Sequence, residues 1–299
     1  MTSVQTRAED RYPTRALESS LDPRTDPTVW SDTESGPAGA DELSDHAEKG
    51  FHTLTGLLSP AEVQRHWQEL QRLTRDPKIR SDERTVVERG SDEIRSIFDV
   101  HRYSPLIAEL IREPRILDRA RQILGSEVYV HQSRINHMPG FRGGGFYWHS
   151  DFETWHAEDG MPGPRAVSLS IALTDNFPFN GGLMVMPGAH RTFVSCAGET
   201  PEKNYKSSLT EQRVGVPTEH HITRLTHEHG IEQFTGSAGS ALWFDSNTMH
   251  GSGNNITPYP RSNIFIVFNS VHNTLDRPFA GTQPRPDFIA SRDFTPITR

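Results

Sequence analysis

A mainly β fold with flanking helices, closed around a double-stranded β-helix (a jelly-roll, cupin-like core), is predicted by two observations. Helical signals are concentrated before Gly125, and from Val128 onward the chain changes to short alternating runs separated by Gly, Pro and Asn. Helices first and many short strands after is the pattern of two packed sheets with helices on their outside. At 299 residues the chain can bury one substantial core, and no internal repeat divides it, so one domain is expected.

The elements follow in order. Residues 1–45 are rich in Asp, Glu, Ser, Thr and Pro without a hydrophobic period, which predicts a flexible acidic arm pinned by Tyr12-Pro13 and Val29-Trp30. The jelly-roll domain is expected over 46–299. After the apolar stretch Phe51 to Leu58, Ser59 as N-cap, Pro60 and Glu62 spell a capping box, with Val63, Trp67 and Leu70 on one helical face. Ser104-Pro105 opens a second helix with Ile107, Leu110 and Ile111. Pro114 opens a third with Leu117, Ala120 and Leu124, stopped by Gly125. In the run Val128 to Ile135, strand alternation puts Val128, Val130, Gln132 and Arg134 on one face, and two polar groups on an apolar face indicate a pocket. Further strands are predicted at 146–149, 166–173, 183–186, 240–244 and 263–268. The polar segment 197–235 reads as an insertion or lid between barrel strands.

The net charge of −8 is uneven: residues 1–45 hold ten acidic and four basic side chains, and the remainder is near −2. No basic stripe appears, so nucleic acid is not an expected partner. No apolar run approaches the roughly 18 residues of a membrane span. The lone Cys196 forms no intrachain disulfide, and residues 1–15 have no apolar signal core, so the cytoplasm is the expected compartment.

The chemistry centres on Phe146 to Pro162, FYWHSDFETWHAEDGMP. His149 and Asp151 are two residues apart, so on an extended strand both leave from one face and converge. His250, far downstream after an apolar strand, is the third member. Two histidines and one carboxylate with open positions are what non-haem Fe(II) uses to hold a co-substrate and dioxygen. Arg261 begins the next strand, and its rigid fork of donors matches the far carboxylate of a dicarboxylate chelating the metal. Other features take bland readings. His220, His221, His227 and His229 lack the HExxH spacing, and Gly140 to Gly145 lacks the ending of a phosphate loop. His156 lies outside the H-x-D spacing, and His190 falls in a turn.

The motif FYWHSDFETWHAEDGMP, together with HQSRIN, NGGLMVMPGAHR, PRPDFIASRDF and the N-terminal DRYPTR and DPTVW, resembles the ectoine hydroxylases of the phytanoyl-CoA dioxygenase superfamily over nearly the whole chain. The resemblance implies an Fe(II)- and 2-oxoglutarate-dependent dioxygenase using O2, with ectoine as substrate, 5-hydroxyectoine as product, and a homodimeric state. By motif match it implies His149, Asp151 and His250 as iron ligands, and Arg261, Ser252 and Arg134 around 2-oxoglutarate. For ectoine it implies Gln132, Thr154, Trp155 and Arg285, with aromatic walls from Phe244 and Phe265. Phe265 is preferred to Phe268 because it shares strand parity with Arg261. Met138 stands where many relatives carry Lys, so a contact to the co-substrate there is either dispensable or taken over by Arg134. Two rivals remain: a related dioxygenase for another small amino-acid-like substrate, and a non-catalytic protein that binds a compatible solute.

Overall fold

The capping signals build the helices they announce. The computed structural model describes residues 9–31, 35–88, 92–209 and 212–299. It begins with β1 (Ser20–Pro23), α1 (Ala40–Lys49) and β2 (Phe51–Leu54). In α2 (Pro60–Arg75) the Ser59 hydroxyl accepts from the Glu62 N–H and the Glu62 carboxylate accepts from the Ser59 N–H, the predicted reciprocal cap. After α3 (Pro77–Arg80) come the paired strands β3 (Thr85–Val87) and β4 (Ile94–Phe98), then α4 (Val100–Tyr103), α5 (Pro105–Arg112) and α6 (Pro114–Leu124). Ser104 caps α5 by accepting from the Ile107 N–H. Gly125 ends α6 at φ 58°, and a Cβ there would lie 2.6 Å from the Trp30 carbonyl oxygen, so glycine is required twice over.

The β region follows as β5 (Val128–Met138), β6 (Phe146–His149), α7 (Asp151–Thr154) running into a π-helical turn Trp155–Asp159, β7 (Ala166–Ala172), β8 (Leu183–Val185) and β9 (Thr192–Ser195). Next are α8 (Tyr205–Ser208), α9 (Glu219–His229), β10 (Glu232–Gln233), β11 (Ala241–Asp245), β12 (His250–Ser252) and β13 (Arg261–Ser270). A seven-stranded sheet ordered β2-β11-β7-β13-β5-β4-β3 faces a four-stranded sheet ordered β10-β8-β12-β6, the two layers of a jelly roll. On the large sheet Ile264, Ile266 and Phe268 pack with Ile107, Leu110, Leu117 and Ile123 of the outer helices. The alternate residues Phe265 and Val267 pack between the sheets with Phe244, Phe152 and Trp155. Phe268 is therefore on the helix side, as strand parity requires.

Three expectations are corrected. Val128 and Val130 do not share a face with Gln132 and Arg134. Val267 pairs with Gln132 but Phe268 pairs with Val130, so His131 is an extra residue and the face of β5 switches there. The acidic arm packs onto the body where it is described, with Tyr12 buried in the inner core at the anchor named for it, β1 paired with β9, and Arg15 ion-paired with Glu153. The division at residue 45 falls inside α1, whose His46 is fully buried; residues 1–8 and 32–34 lie outside the described residues. The segment 197–235 carries α8, α9 and β10 rather than an unstructured loop, with 210 and 211 outside the description.

A buried histidine cluster ties the N-terminal segment to the barrel. His46 Nδ1 lies 3.2 Å from His52 Nδ1, His52 stacks on Trp243, and His190 Nε2 donates to the Ala47 carbonyl at 3.2 Å. Gly50, at φ 84°, lets the chain pass: a Cβ would stand 2.5 Å from His190 Nδ1. Burial pushes His52 down to about 3, His190 to about 4, and His46 well below its ordinary value of 6.5, so all three are neutral in the fold. Unfolding frees them to take protons below about 6.5. The stability they contribute is thus complete above that pH and is lost as pH falls toward their folded values. Each histidine contributes a slope of up to about 1.4 kcal/mol per pH unit in that window. The thermal midpoint should therefore fall between pH 7 and pH 5, above the range where ordinary carboxylates titrate, and a flat profile there would contradict this account.

Candidate active site

Strand pairing builds the histidine pair. β12 lies between β8 and β6, His250 is the cross-strand partner of His149, and their ring centroids are 4.2 Å apart. Ser150 keeps an extended backbone (φ −107°, ψ 130°), after which Asp151 opens α7. The carboxylate thus joins the pair from a helix start, not from the same strand as predicted, because the Phe152 N–H turns away to donate to the Ser246 carbonyl. His149 Nδ1 lies 2.7 Å from the Tyr147 carbonyl and His250 Nδ1 lies 2.9 Å from the Thr248 carbonyl. A carbonyl only accepts, so each Nδ1 carries the hydrogen and each Nε2 presents a lone pair inward.

Both Nε2 atoms lie 3.9 Å from an Asp151 oxygen, and one ligand atom from each residue falls within 4.8 Å of the others, the only such group among the described residues. Asp151 Oδ2 is buried without a hydrogen-bond partner. Burial, with His250 beside it, pushes His149 down to about 4, so it stays a neutral ligand. An orphaned carboxylate oxygen facing two inward imidazole lone pairs fits a divalent metal with open positions, of the two-histidine, one-carboxylate kind.

The same cavity holds an unusual surplus of cations. Arg134 and Arg261 are half-buried, and among the described residues neither makes a side-chain hydrogen bond or ion pair; their Nε atoms are buried and orphaned. Arg134 lies over the Phe265 ring at 4.3 Å. Burial pushes both guanidiniums down to about 10, still charged at neutral pH. A third arginine, Arg95, is neutralised by Glu88 at 2.8 Å. Two half-buried guanidiniums without carboxylate partners make the cavity electropositive, which suits an anion with charge at separated points.

All the residues singled out for a site line this one cavity. Ser252 is buried and accepts from the Phe146 N–H, and Gln132 donates Nε2 to the Ile289 carbonyl at 2.7 Å. Thr154 accepts from Gln212 at 3.2 Å, and Trp155 meets His131 edge-on. Phe244 touches both His250 and Phe265. Met138 also lines the cavity and is the cross-strand partner of Arg261.

Arg285 differs from expectation. It is not a free cation awaiting a substrate carboxylate, because Asp159 takes it bidentately at 2.7 and 2.6 Å. Burial works to lower the Arg285 pKa, but Asp159 outweighs it and raises it, while Arg285 outweighs burial to lower that of Asp159. The remaining histidines take structural or surface places. His156 is held between the Met161 carbonyl and Asp10, His190 serves the cluster near Gly50, and the four histidines around α9 belong to no ligand group. Sequence reasoning missed Arg95, Asn136, Asn263, Glu158 and Gln212, which also line the cavity. Asn263, two residues after Arg261 on β13, was accessible by parity; the others arrive from separate elements.

Replacing His149, Asp151 or His250 by Ala should reduce bound Fe(II), measured by elemental analysis after anaerobic loading, from one equivalent to near none. Retention of a full equivalent in any of the three would remove that residue from the centre.

Residues 47–263 match the family model of phytanoyl-CoA dioxygenase (PhyH). The chain is 61% identical over 289 residues to the ectoine dioxygenase of Nocardia farcinica, covering 96% of this chain and 95% of that protein. Among solved structures it is similar to EctD from S. alaskensis with 2-oxoglutarate and 5-hydroxyectoine, with a TM-score of 0.87, 44% identity and 97% of each chain covered. It also matches the same enzyme with bound Fe, with a TM-score of 0.85, 44% identity and 95% of each chain covered. Carrying the jelly roll and the His149–Asp151–His250 group as well, the chain belongs to the phytanoyl-CoA dioxygenase family and, within it, to the ectoine dioxygenases.

Proposed function

We propose that the chain is an Fe(II)- and 2-oxoglutarate-dependent dioxygenase that converts ectoine and O2 to 5-hydroxyectoine, with 2-oxoglutarate leaving as succinate and CO2. The observation that carries this reading is the juxtaposition of an orphaned carboxylate between two inward imidazoles with two half-buried arginines that have no partner among the described residues, all in one cavity. Iron and its co-substrate supply the oxidising power when bound. The chain's own residues bind, orient and exclude water.

Arg261, with Ser252 nearby on β12, takes the distal carboxylate of 2-oxoglutarate, and Arg134, stacked on Phe265, supplies the second cation. Trp155, Phe244 and Phe265 provide apolar and π faces for the delocalised cation of ectoine, worth roughly 0.5 to 2 kcal/mol each when desolvated. Gln132 is aimed by its bond to Ile289, which leaves its carbonyl oxygen for the ligand. Because the Arg285 charge is matched by Asp159, its role for the ectoine carboxylate is orientation through the remaining donors. Ser208, Leu209 and Gln212 line the cavity, which supports the 197–235 segment as its cover within a single domain. No helix of the described residues is long and apolar enough to cross a membrane; the cytoplasm is the proposed compartment. A homodimer is the proposed assembly, and the exposed rings of Phe179 and Tyr259, packed on half-buried Phe177, form a surface that pairing would cover. Light scattering at the mass of a single chain would overturn the dimer.

Anaerobic loading with Fe(II), then 2-oxoglutarate, oxygen and ectoine, should give 5-hydroxyectoine by mass and NMR, with one succinate per product. Consumption of 2-oxoglutarate that ectoine does not stimulate would sink the substrate. Arg261→Ala should weaken 2-oxoglutarate by roughly ten- to a hundredfold, the range for a lost hydrogen bond to a charged group, with a smaller effect on ectoine. Equal weakening of both would place Arg261 in the wrong part of the cavity.

A further inference from the structure

The cavity wall beside Thr154 and Trp155 carries a carboxylate that nothing so far employs. Glu158 lies in the π-helical turn after α7, is 2% exposed, and lines the cavity. Its surroundings leave it short of positive charge. Arg15, reaching in from the N-terminal segment, is the nearest cation, but its fork is committed to Glu153: Nε to Oε1 at 2.7 Å and Nη2 to Oε2 at 2.9 Å. Glu158 receives only a longer approach from the same Nη2, 3.3 Å to Oε1, and a hydrogen bond from Asn204 Nδ2 to that same oxygen at 2.8 Å. The other oxygen, Oε2, has no hydrogen bond among the described residues. Arg285 lies on the same side of the cavity, but Asp159 holds it.

The balance of the cluster is therefore one guanidinium against two carboxylates, with the surplus negative charge on the residue that faces the cavity. This is the converse of Arg134 and Arg261, where half-buried cations lack anions among the described residues. A dicarboxylate and a divalent metal do not fill this place, since the metal has its own carboxylate in Asp151 and the co-substrate is itself an anion. The missing partner is a cation small enough to lie against Trp155, with N–H groups that point outward from a planar, delocalised system.

We propose that Glu158 is the acceptor for the cationic amidine edge of the substrate: its free oxygen takes a charge-assisted N–H bond while Arg15 and Asn204 hold the carboxylate in place. This inference rests on ectoine as the substrate. It makes Glu158 a specificity determinant that separates a ring zwitterion from a ring carboxylate of the same size. Arg15 and Asn204 are positioning residues, one from the N-terminal segment and one from the segment covering the cavity. Both segments thus act on substrate choice without touching substrate.

The test compares Glu158→Gln, which keeps the shape and the acceptor for Asn204 but removes the charge, with Glu158→Asp, which keeps the charge on a shorter stem. Ectoine saturation is followed by succinate release on the full-length, iron-loaded protein, and 2-oxoglutarate binding is measured separately by calorimetry. Glu158→Gln should raise the KM for ectoine by roughly ten- to a hundredfold, the range for a lost hydrogen bond to a charged group. Its 2-oxoglutarate affinity and iron content should stay within about threefold of wild type, since neither ligand loses a partner. Glu158→Asp should recover part of the loss. Unchanged ectoine saturation in Glu158→Gln, equal losses in both variants, or a parallel fall in 2-oxoglutarate affinity would each overturn the assignment. If Glu158→Gln does not fold, Glu158→Asp decides alone: a loss confined to ectoine supports the assignment, and an equal fall in 2-oxoglutarate affinity overturns it. If the wild-type protein itself is not stimulated by ectoine, the substrate reading fails first; stimulation with unaltered variants removes Glu158 alone.

Discussion

Everything in the cavity depends on one cross-strand pair. His149 and His250 are a hundred residues apart in sequence, and they meet because β6 and β12 are neighbours in the small sheet with these two positions in register. A slip of one residue would turn either imidazole to the other face. The register is protected by close backbone packing at the start of β6, where a Cβ on Gly145 would stand 2.3 Å from the Ser252 carbonyl oxygen. The Gly-rich run before the ligand strand is thus a steric requirement of the metal centre. Below it, Arg95 donates to the Gly144 and Gly145 carbonyls and fixes the same turn from the large sheet.

The second theme is unbalanced charge. Folding ordinarily pairs what it buries, and most of this molecule obeys: Arg24 with Asp245, Arg95 with Glu88, Arg285 with Asp159. Among the described residues the exceptions include the half-buried Arg134 and Arg261 and the orphaned oxygen of Asp151, and these face one cavity, as does Glu158. Each exception is a charge that the fold removes in part from water without giving it a protein partner. A ligand set of opposite charges supplies those partners on binding, which is the physical sense of a site whose polar groups are incomplete until it is filled.

The N-terminal segment links these themes. Composition makes residues 1–45 resemble a solvated tail, yet Tyr12 packs edge-on against Phe152 and Phe193, and the Arg15 guanidinium lies beneath the helix that carries Thr154. Glu153 and Glu158 are on that helix and its continuation. Removing the segment would leave two buried carboxylates without a cation next to the residues that face the ligand. The segment therefore braces the wall of the site from behind. The 197–235 segment contributes in the same way, through Asn204 on Glu158 and Gln212 on Thr154.

By itself the sequence determined what is local. Capping boxes and proline starts located α2, α5 and α6, alternation located most barrel strands, and the H-x-D spacing with a distant histidine and arginine identified the metal group. Parity along one strand separated Phe265 from Phe268, since a strand without a bulge keeps its faces. What only the tertiary structure decided is non-local. The extra residue at His131 reverses the face of β5, and no single-strand pattern reveals an irregularity that depends on the partner strand. Arg285 reads as an available cation until Asp159, more than a hundred residues away, is found to neutralise it. Glu158 reads as one acid among many until Arg15 is seen to be spent on Glu153. Whether a charge is free depends on which elements fold against it, and that is fixed by packing rather than by the residue's neighbours in the chain.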